Sequence, residues 1–241
     1  MHITGWAFVA VALAIFLGAI MQGIIGFGMI ALAFPVVVLA NDNLLPQSAL
    51  IAGTTNLCVM DRRNWNGVVW REVGWIAAGR FPGMGIAVFL LSVLSSTTLA
   101  LAGGFTVLAA IGLGFWAPPL ARSQRNLALV GVASGLFGTA IGIGGPPLGL
   151  LYQHETGPQL RSTVSVLMLM GSPISLAILA LSGQVSSADL RTGSALALPA
   201  LAGMLVAPRL VPWFDQRLRT VVLVACSISA IAAMAKIVLV G

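Results

Sequence analysis

Two glycine-rich segments contain the residues that are best suited to bind a ligand in this sequence of 241 residues. The first, Gly18–Gly28, reads Gly-Ala-Ile-Met-Gln-Gly-Ile-Ile-Gly-Phe-Gly, and the second, Gly131–Pro147, ends in Gly-Ile-Gly-Gly-Pro-Pro. Glycine permits positive φ and close backbone approach, whereas paired prolines end a helix. A break of this kind frees backbone N–H and C=O groups, and a helix that restarts after it directs a positive dipole end at the break. The two segments together predict one central anion site.

The glycines also admit a simpler interpretation, in which they only let helices pack closely. Gly135 and Gly138 do not have the four-residue spacing of that packing motif, and Gly144-Gly145-Pro146-Pro147 cannot continue a regular helix. Both facts favour a break. We therefore expect a side chain added at Gly26 or Gly144 to abolish function and to leave the protein folded.

Polar side chains inside apolar stretches are further candidates. Arg80 lies in an apolar run beside Phe81-Pro82-Gly83, where it could hold an anion or extend to the membrane interface. Arg161 could be a cation at the entrance of a pathway or an interfacial anchor, and Gln22, Thr54, Asn56 and Ser165 could each bind substrate or a neighbouring helix. The predicted substrate-binding set is Gln22, Gly23, Gly26, Gly28, Thr54, Asn56, Arg80, Gly142, Gly144, Gly145, Pro146 and Arg161.

The composition determines the kind of fold that positions these residues. Hydrophobic residues make up 59% of the chain and charged residues 7%, against roughly 25% charged in an ordinary soluble domain. A soluble fold could not cover so much apolar surface, whereas a lipid bilayer can act as its solvent. The apolar runs are much longer than the strands of about ten residues in a membrane β-barrel. The sequence therefore predicts an all-α polytopic membrane protein.

Apolar runs between polar punctuation define ten segments. The second and the seventh are too short to cross about 30 Å of hydrocarbon at about 1.5 Å per residue, and each follows a glycine-rich break, so we expect broken or re-entrant helices there. The segments are Trp6–Ile25, Phe27–Ala40, Leu45–Met60, Val73–Leu94, Thr98–Trp116, Leu127–Ile141, Gly145–Tyr152, Ser162–Leu181, Gly193–Trp213 and Val221–Val240.

The chain contains an internal duplication. We predict a first repeat at 1–116, a connecting loop at 117–126 and a second repeat at 127–241, within one membrane domain. Each half contains about five segments. Because five is odd, the second repeat starts on the opposite side of the membrane from the first, so the two repeats are inverted, as in many secondary transporters. The matches at an offset of 112 are Gly23 with Gly135, Gly26 with Gly138, Pro35 with Pro147, and Pro46-Gln47 with Pro158-Gln159.

The basic residues predict the orientation. The chain has a net charge of +6, and its basic residues are dispersed between apolar segments, which argues against nucleic-acid binding and agrees with the positive-inside rule. If every segment counts as a crossing, both termini lie outside the cytoplasm. Arg191 and Lys236 then lie outside, and nine arginines lie inside: Arg62, Arg63, Arg71, Arg122, Arg125, Arg161, Arg209, Arg217 and Arg219.

The sharpest motifs, Gly23–Gly28 with a downstream Pro35 and Gly135–Pro147, resemble the TauE/SafE (DUF81) family of membrane exporters. The chain departs from many members in having Gly26-Phe-Gly28 where they carry three consecutive glycines. The resemblance covers nearly the whole chain and implies a secondary transporter that exports sulfite or an organosulfonate across the cytoplasmic membrane. Weaker similarities to the family's repeat pattern are Thr54-Thr55 after Gln47 and Arg161 before Ser162-Thr163.

Two other functions are compatible with parts of the sequence. Glycine breaks could line an anion channel instead, and Ser134 before Gly135, with His154, could form the dyad of a rhomboid-like intramembrane serine protease. Ser134, however, matches Gln22 in the first repeat, which favours a shared lining role. The chain is thus not predicted to be an enzyme. The spacing of Cys58 and Cys226 suggests no metal, and we expect no cofactor. The expected partners are a small anion and membrane lipid, with assembly into a homo-oligomer left open.

Overall fold

The structure is a computed structural model, and it describes residues 5–25, 29–40, 47–54, 62–116, 120–152 and 158–210. Every regular element in these ranges is helical, which confirms the predicted class. Among the described residues, four helical stretches are long and apolar enough to cross a membrane: Gly5–Ile24, Trp70–Val93, Ser162–Leu181 and Ser187–Leu210. The α-helices are α1 (Gly5–Ile25), α2 (Met29–Ala40), α3 (Gln47–Gly53), α4 (Trp70–Val93), α5 (Ser96–Trp116), α6 (Gln124–Ala140), α7 (Gly145–Leu151), α8 (Pro158–Leu181) and α9 (Ser187–Leu210), and a 3₁₀ helix at Arg62–Gly67 precedes α4.

These helices follow the first nine predicted segments, and the tenth lies outside the described residues. The main difference is at helix starts, where polar first turns extend beyond the apolar runs. For example, α6 begins at Gln124, three residues before the predicted Leu127, because the Ser123 hydroxyl accepts a hydrogen bond from the Asn126 N–H at 3.2 Å. Such a cap stabilises a first turn that contains no apolar residue.

Large apolar side chains lie on the outside of the helices. Trp6, Phe89 and Leu198 are 74%, 64% and 71% exposed. They lie on α1, α4 and α9, three of the four helices long enough to span a bilayer. An apolar outer surface on such helices is the surface that hydrocarbon would solvate.

Helices α4 and α8 begin at the same end of the bundle. The Val69 N–H, just before α4, donates to the Thr163 hydroxyl in the first turns of α8 at 3.2 Å. At the opposite end, the Gln184 side-chain amide donates to the Val88 carbonyl at 3.5 Å. We call these two ends of the bundle the Glu72 end and the Gln184 end, after Glu72 in the first turn of α4.

Glycines bring α4 and α6 into backbone contact. A Cβ added at Gly79 or Gly83 of α4 would collide with carbonyl groups of α6, and a Cβ at Gly131 or Gly135 of α6 would collide with carbonyl groups of α4. Each pair has the four-residue spacing of small-residue helix packing. The expectation that the second glycine-rich segment serves mainly to break a helix is therefore wrong for its first half, where Gly131 and Gly135 serve packing.

Each glycine-rich segment forms a hairpin of two helices. In the first, the backbone of Met29 at the start of α2 lies against Gly18, so α2 turns back along α1. Helix α1 runs parallel to α9, because Gly23 packs on Ala207 and Gly203 packs on Phe16. Since α9 follows α8 from the Gln184 end, α1 also begins at that end, and the first hairpin returns towards it.

The second hairpin returns to the Glu72 end. The Tyr152 hydroxyl, directly after α7, donates a hydrogen bond to the Glu72 carboxylate. Arg122, which precedes α6, forms an ion pair with the same carboxylate at 3.4 Å, and its guanidinium lies 5.3 Å from the centre of the Tyr152 ring. The start of α6 and the end of α7 are thus held together at one end of the bundle, and the tip of the hairpin lies inside it.

Candidate functional site

The tip of the second hairpin is formed by a glycine in the left-handed region. Helix α6 ends at Ala140, Gly142 has φ +76°, and the Ile143 N–H donates back to the Phe137 carbonyl at 3.1 Å. This is a C-terminal helix stop in which glycine alone avoids a Cβ penalty. The predicted break in the second half is therefore present at Gly142.

The tip is fixed against α6 by a buried serine. The Ser134 hydroxyl donates to the Gly144 carbonyl at 2.7 Å, and a Cβ added at Gly144 would lie 2.9 Å from the Ser134 carbonyl oxygen. A side chain at Gly144 would therefore disturb the tip itself, contrary to the expectation that such a variant keeps its fold. The same hydrogen bond gives Ser134 a structural role, and the geometry lends no support to the protease alternative, whose second residue, His154, lies outside the described residues.

Helix α7 starts at the tip, but its first turn offers few donors. Gly145 is the first helical residue, and Pro146 and Pro147 follow it without backbone N–H groups. Two of the backbone donors that normally stay free at a helix start are therefore missing. Hydrogen bonds to a ligand at the tip would therefore come more from side chains, and less from backbone N–H groups, than the sequence predicted.

The tip of the second hairpin lies beside the start of α2 and beside α3. A Cβ at Gly142 would be 3.4 Å from Ala49 in α3 and 3.4 Å from Ile30 in the first turn of α2. A cavity of about 40 Å³ lies between them. Since one water needs about 10–15 Å³ of such volume, the cavity could hold about three waters or one small oxyanion. The lining residues are Gln22, Met29, Ile30, Ala49, Leu50, Gly53, Gly142, Ile143, Gly144, Gly145, Pro146, Met168 and Ser172.

Two polar side chains in this lining have unused hydrogen-bonding groups. Gln22 comes from the last turn of α1 and Ser172 from the middle of α8. In the described part of the chain neither side chain has a hydrogen-bond partner, whereas hydroxyls such as that of Ser134 are engaged. An amide and a hydroxyl that converge on one small cavity can bind a ligand that accepts hydrogen bonds.

Arg80 is buried and does not extend to the surface. Its side chain is 5% exposed, and Nη1 donates to the Leu167 carbonyl of α8 at 2.9 Å. Its Nε has no hydrogen-bond partner within the ranges that the structure describes. The interfacial placement considered from the sequence is therefore not observed. That carbonyl is neutral, so it does not compensate the charge of the buried guanidinium in a low-dielectric interior.

The Arg80 guanidinium lies directly behind the cavity wall. Nη2 is 3.7 Å from the position of a Cβ at Gly138, and Gly138 packs on Gly144 of the tip. On its other side the guanidinium lies against Gly171, the residue before Ser172. Both residues that the guanidinium touches here are glycines, so no side chain at position 138 or 171 stands between it and the neighbouring lining residues Gly144 and Ser172.

The remaining predicted site residues are placed as follows. Gln22, Gly142, Gly144, Gly145 and Pro146 line the cavity. Gly23 instead packs on α9, and the Thr54 hydroxyl donates to the Ile51 carbonyl of its own helix at 2.6 Å. The backbone of Arg161 lies in the first turn of α8, and its side chain lies outside the description. Gly26, Gly28 and Asn56 lie outside the described residues.

Sequence reasoning missed the contribution of α3 and α8 to the cavity, notably Gly53, Met168 and Ser172. A signal for Ser172 was present, because Gly171-Ser172-Pro173 puts a small polar residue before a proline inside an apolar run. Proline disturbs the local helix, and small polar residues often mark such sites in membrane helices. Gly53 carried no comparable signal, since its role depends on which residue faces it.

These features define a class: a multi-pass membrane protein whose described elements are helical, with a small polar cavity between the α1–α2 and α6–α7 helix pairs. The family model described as Sulfite exporter TauE/SafE matches residues 11–233. The chain therefore belongs to the TauE/SafE family of membrane transporters, which confirms the resemblance carried by its glycine motifs. Comparison with curated proteins finds no match, and comparison with solved structures finds none either.

Proposed function

We propose that this protein is a secondary transporter that exports a small sulfur oxyanion such as sulfite, or an organosulfonate, across the cytoplasmic membrane. The observation that carries the proposal is a cavity lined by Gln22, Met29 and Ile30 on one side and by the Gly142–Pro146 tip on the other, with Gln22 and Ser172 side chains that have no hydrogen-bond partner among the described residues. Family membership supports transport of this substrate class. The cavity supports a small ligand that accepts hydrogen bonds.

The charge distribution around the cavity favours an anion. The buried Arg80 guanidinium lies behind the wall, and helix α2 directs its N-terminal end, with Met29 and Ile30, at the same space. A cation and a positive dipole end both stabilise negative charge. Hydrogen bonds to a charged acceptor contribute about 1.5–3 kcal/mol each, so a few of them offset much of the cost of desolvating an oxyanion.

The hairpins support a pair of inverted repeats, 1–116 and 127–241, joined by the loop at 117–126. The α1–α2 hairpin begins at the Gln184 end, whereas the α6–α7 hairpin begins and ends at the Glu72 end. In our proposal the two hairpins re-enter the membrane from opposite faces and meet at the cavity. If both hairpins are re-entrant, the first, second, sixth and seventh of the ten predicted segments do not cross the membrane. Every basic residue then stays on its predicted side.

An export assay tests the proposed function directly. Cells that overproduce sulfite should release it faster when they express the protein, and parallel assays with sulfoacetate and other sulfonates would rank the substrates. In proteoliposomes the flux should saturate and show counterflow, which a channel would not. Gln22→Leu should abolish transport, because it removes one of the two unengaged polar groups. Release of sulfite, sulfoacetate and the other sulfonates equal to that of cells without the protein would refute the proposal.

A further inference from the structure

We propose that Ser172 and Gly53, which face each other across the cavity, determine which anion binds. Ser172 would donate a hydrogen bond to an oxyanion oxygen, and Gly53 would leave room for the substituent that the anion carries. The inference rests on the proposed function and adds to it the two residues that set its substrate range. Neither residue belongs to the two glycine-rich segments, Gly18–Gly28 and Gly131–Pro147. Gly53 comes from α3 and Ser172 comes from α8.

The Ser172 hydroxyl lacks the local hydrogen bond that several other hydroxyls of the described residues make. Serine and threonine inside a helix commonly donate to the carbonyl four residues earlier. The Ser182 hydroxyl does so to Ile178 at 2.8 Å, and the Thr106 hydroxyl does so to Ala102 at 2.7 Å. Ser172 has no such bond, although its side chain is half-buried and lines the cavity. A donor that is left unengaged inside a membrane protein is available to a ligand.

Gly53 also differs from the glycines through which α4 and α6 touch, because helix packing does not require a glycine at position 53. A Cβ at Gly79 or Gly131 would collide with a backbone carbonyl of the neighbouring helix, so those positions require glycine. A Cβ at Gly53 would be 3.6 Å from the Ser172 hydroxyl oxygen and 3.7 Å from the Met29 methyl carbon, which are ordinary van der Waals contacts. Gly53 also lies within α3 and does not have a positive φ. Neither packing nor backbone conformation requires glycine there.

Together these observations assign the space between the two residues to the ligand. A methyl group at position 53 would fit the fold but would project at Ser172 and reduce a cavity of about 40 Å³. In our proposal the carbon substituent of an organosulfonate occupies the space beside Gly53, while an oxyanion oxygen accepts the hydrogen bond from Ser172. Ser172 therefore sets how tightly the oxyanion binds, and Gly53 sets how large a substituent it can carry.

Competition for sulfite transport in proteoliposomes tests the inference, with methanesulfonate as the competitor that is one carbon larger. Ser172→Ala should raise the KM for sulfite about tenfold with little change in maximal rate, because one charge-assisted hydrogen bond is lost. Gly53→Ala should weaken inhibition by methanesulfonate about tenfold more than it raises the KM for sulfite. Ser182→Ala and Gly85→Ala are matched controls, since Ser182 is bonded to its own helix and a Cβ at Gly85 would meet open space.

Three outcomes are informative. If Gly53→Ala changes sulfite and methanesulfonate equally, or if Ser172→Ala behaves like the parent, the inference is overturned while sulfite transport by the parent still stands. If the parent neither binds nor transports sulfite, the proposed function fails, and the inference fails with it. A size-dependent effect at Gly53 together with a KM effect at Ser172 would support the assignment, since a general packing defect would change all anions alike.

Discussion

The guanidinium of Arg80 occupies the space that a side chain at position 171 would need. A Cβ added at Gly171 would collide with the Arg80 Nη2, and the adjacent Ser172 lines the cavity. Because residue 171 is glycine, α8 leaves a space there, which we call the slot, and the Arg80 guanidinium fills it. The slot is adjacent to Ser172, which lines the cavity. A buried charge without a carboxylate partner among the described residues is costly, and in our proposal an anionic ligand offsets that cost.

Replacing Arg80 should weaken anion binding. Arg80→Gln removes the cation behind the wall, and we expect sulfite binding to purified protein to fall about 10- to 100-fold, as for the loss of one charge-assisted interaction. Arg80→Lys should retain part of the affinity, because the charge remains while the guanidinium fork is lost. Thermal stability should not fall in Arg80→Gln, since an uncompensated buried charge has been removed. Unchanged sulfite affinity in Arg80→Gln would show that the guanidinium is a structural group.

Gly171→Ala should reproduce the loss of affinity without altering any charge. The added methyl group would displace the Arg80 guanidinium from its slot and break the 2.9 Å hydrogen bond to the Leu167 carbonyl. Sulfite binding should therefore weaken in the same direction as in Arg80→Gln. The double variant Gly171→Ala/Arg80→Gln should be little worse than either single one, because both changes act on one interaction. Fully additive losses would show that Gly171→Ala does not act by displacing the Arg80 guanidinium.

Gly79→Ala should destabilise the protein, because its methyl group would meet the Ala128 carbonyl where α4 and α6 touch. Overpacking of this kind costs about 1–3 kcal/mol. Gly85→Ala lies in the same helix but faces open space, and there the better helix propensity of alanine should give a neutral or stabilising change of up to about 1 kcal/mol. Thermal unfolding in detergent would compare the two. Equal unfolding temperatures would mean that the helices do not pack through these glycines.

Tyr152→Phe should loosen the second hairpin at the Glu72 end. The variant keeps the buried ring but loses the hydrogen bond to the Glu72 carboxylate, and a bond to a charged acceptor contributes about 1.5–3 kcal/mol. Glu72→Gln should cost less, since an acceptor for Tyr152 remains and the ion pair with Arg122 is partly exposed. Thermal unfolding again provides the measurement. A larger loss in Glu72→Gln than in Tyr152→Phe would assign the stabilisation to the ion pair instead.

The C-terminus should lie outside the cytoplasm. Arg71 and Arg122 lie at the Glu72 end and Arg191 at the Gln184 end, in agreement with the sides assigned by the positive-inside rule. A reporter fused to the C-terminus should therefore give a periplasmic signal. A reporter inserted at Leu120, next to Arg122, is the matched control and should give a cytoplasmic one. A cytoplasmic signal at both positions would overturn the inverted arrangement, and the reverse pattern would overturn the predicted orientation.

Local chemistry made several features readable without a structure. An apolar composition requires lipid as its solvent, and unbroken apolar runs require helices, so the class and most helix positions followed from the sequence. Glycine and proline act on their own backbone, so the break at Gly142–Pro147 was also predictable. The glycine motifs sufficed to identify the TauE/SafE family, which the match over residues 11–233 confirms.

The partners of these residues were decided by the tertiary structure. The spacing of Gly131, Gly135, Gly142 and Gly144 does not separate packing from breaking, because that depends on whether another helix lies within backbone distance. Arg80 could reach the surface or the interior from the same position in α4, and the slot at Gly171 directs it inward. Residues far apart in sequence, such as Gly53 and Ser172, enclose a cavity because distant helices pack side by side, and no local pattern encodes that contact.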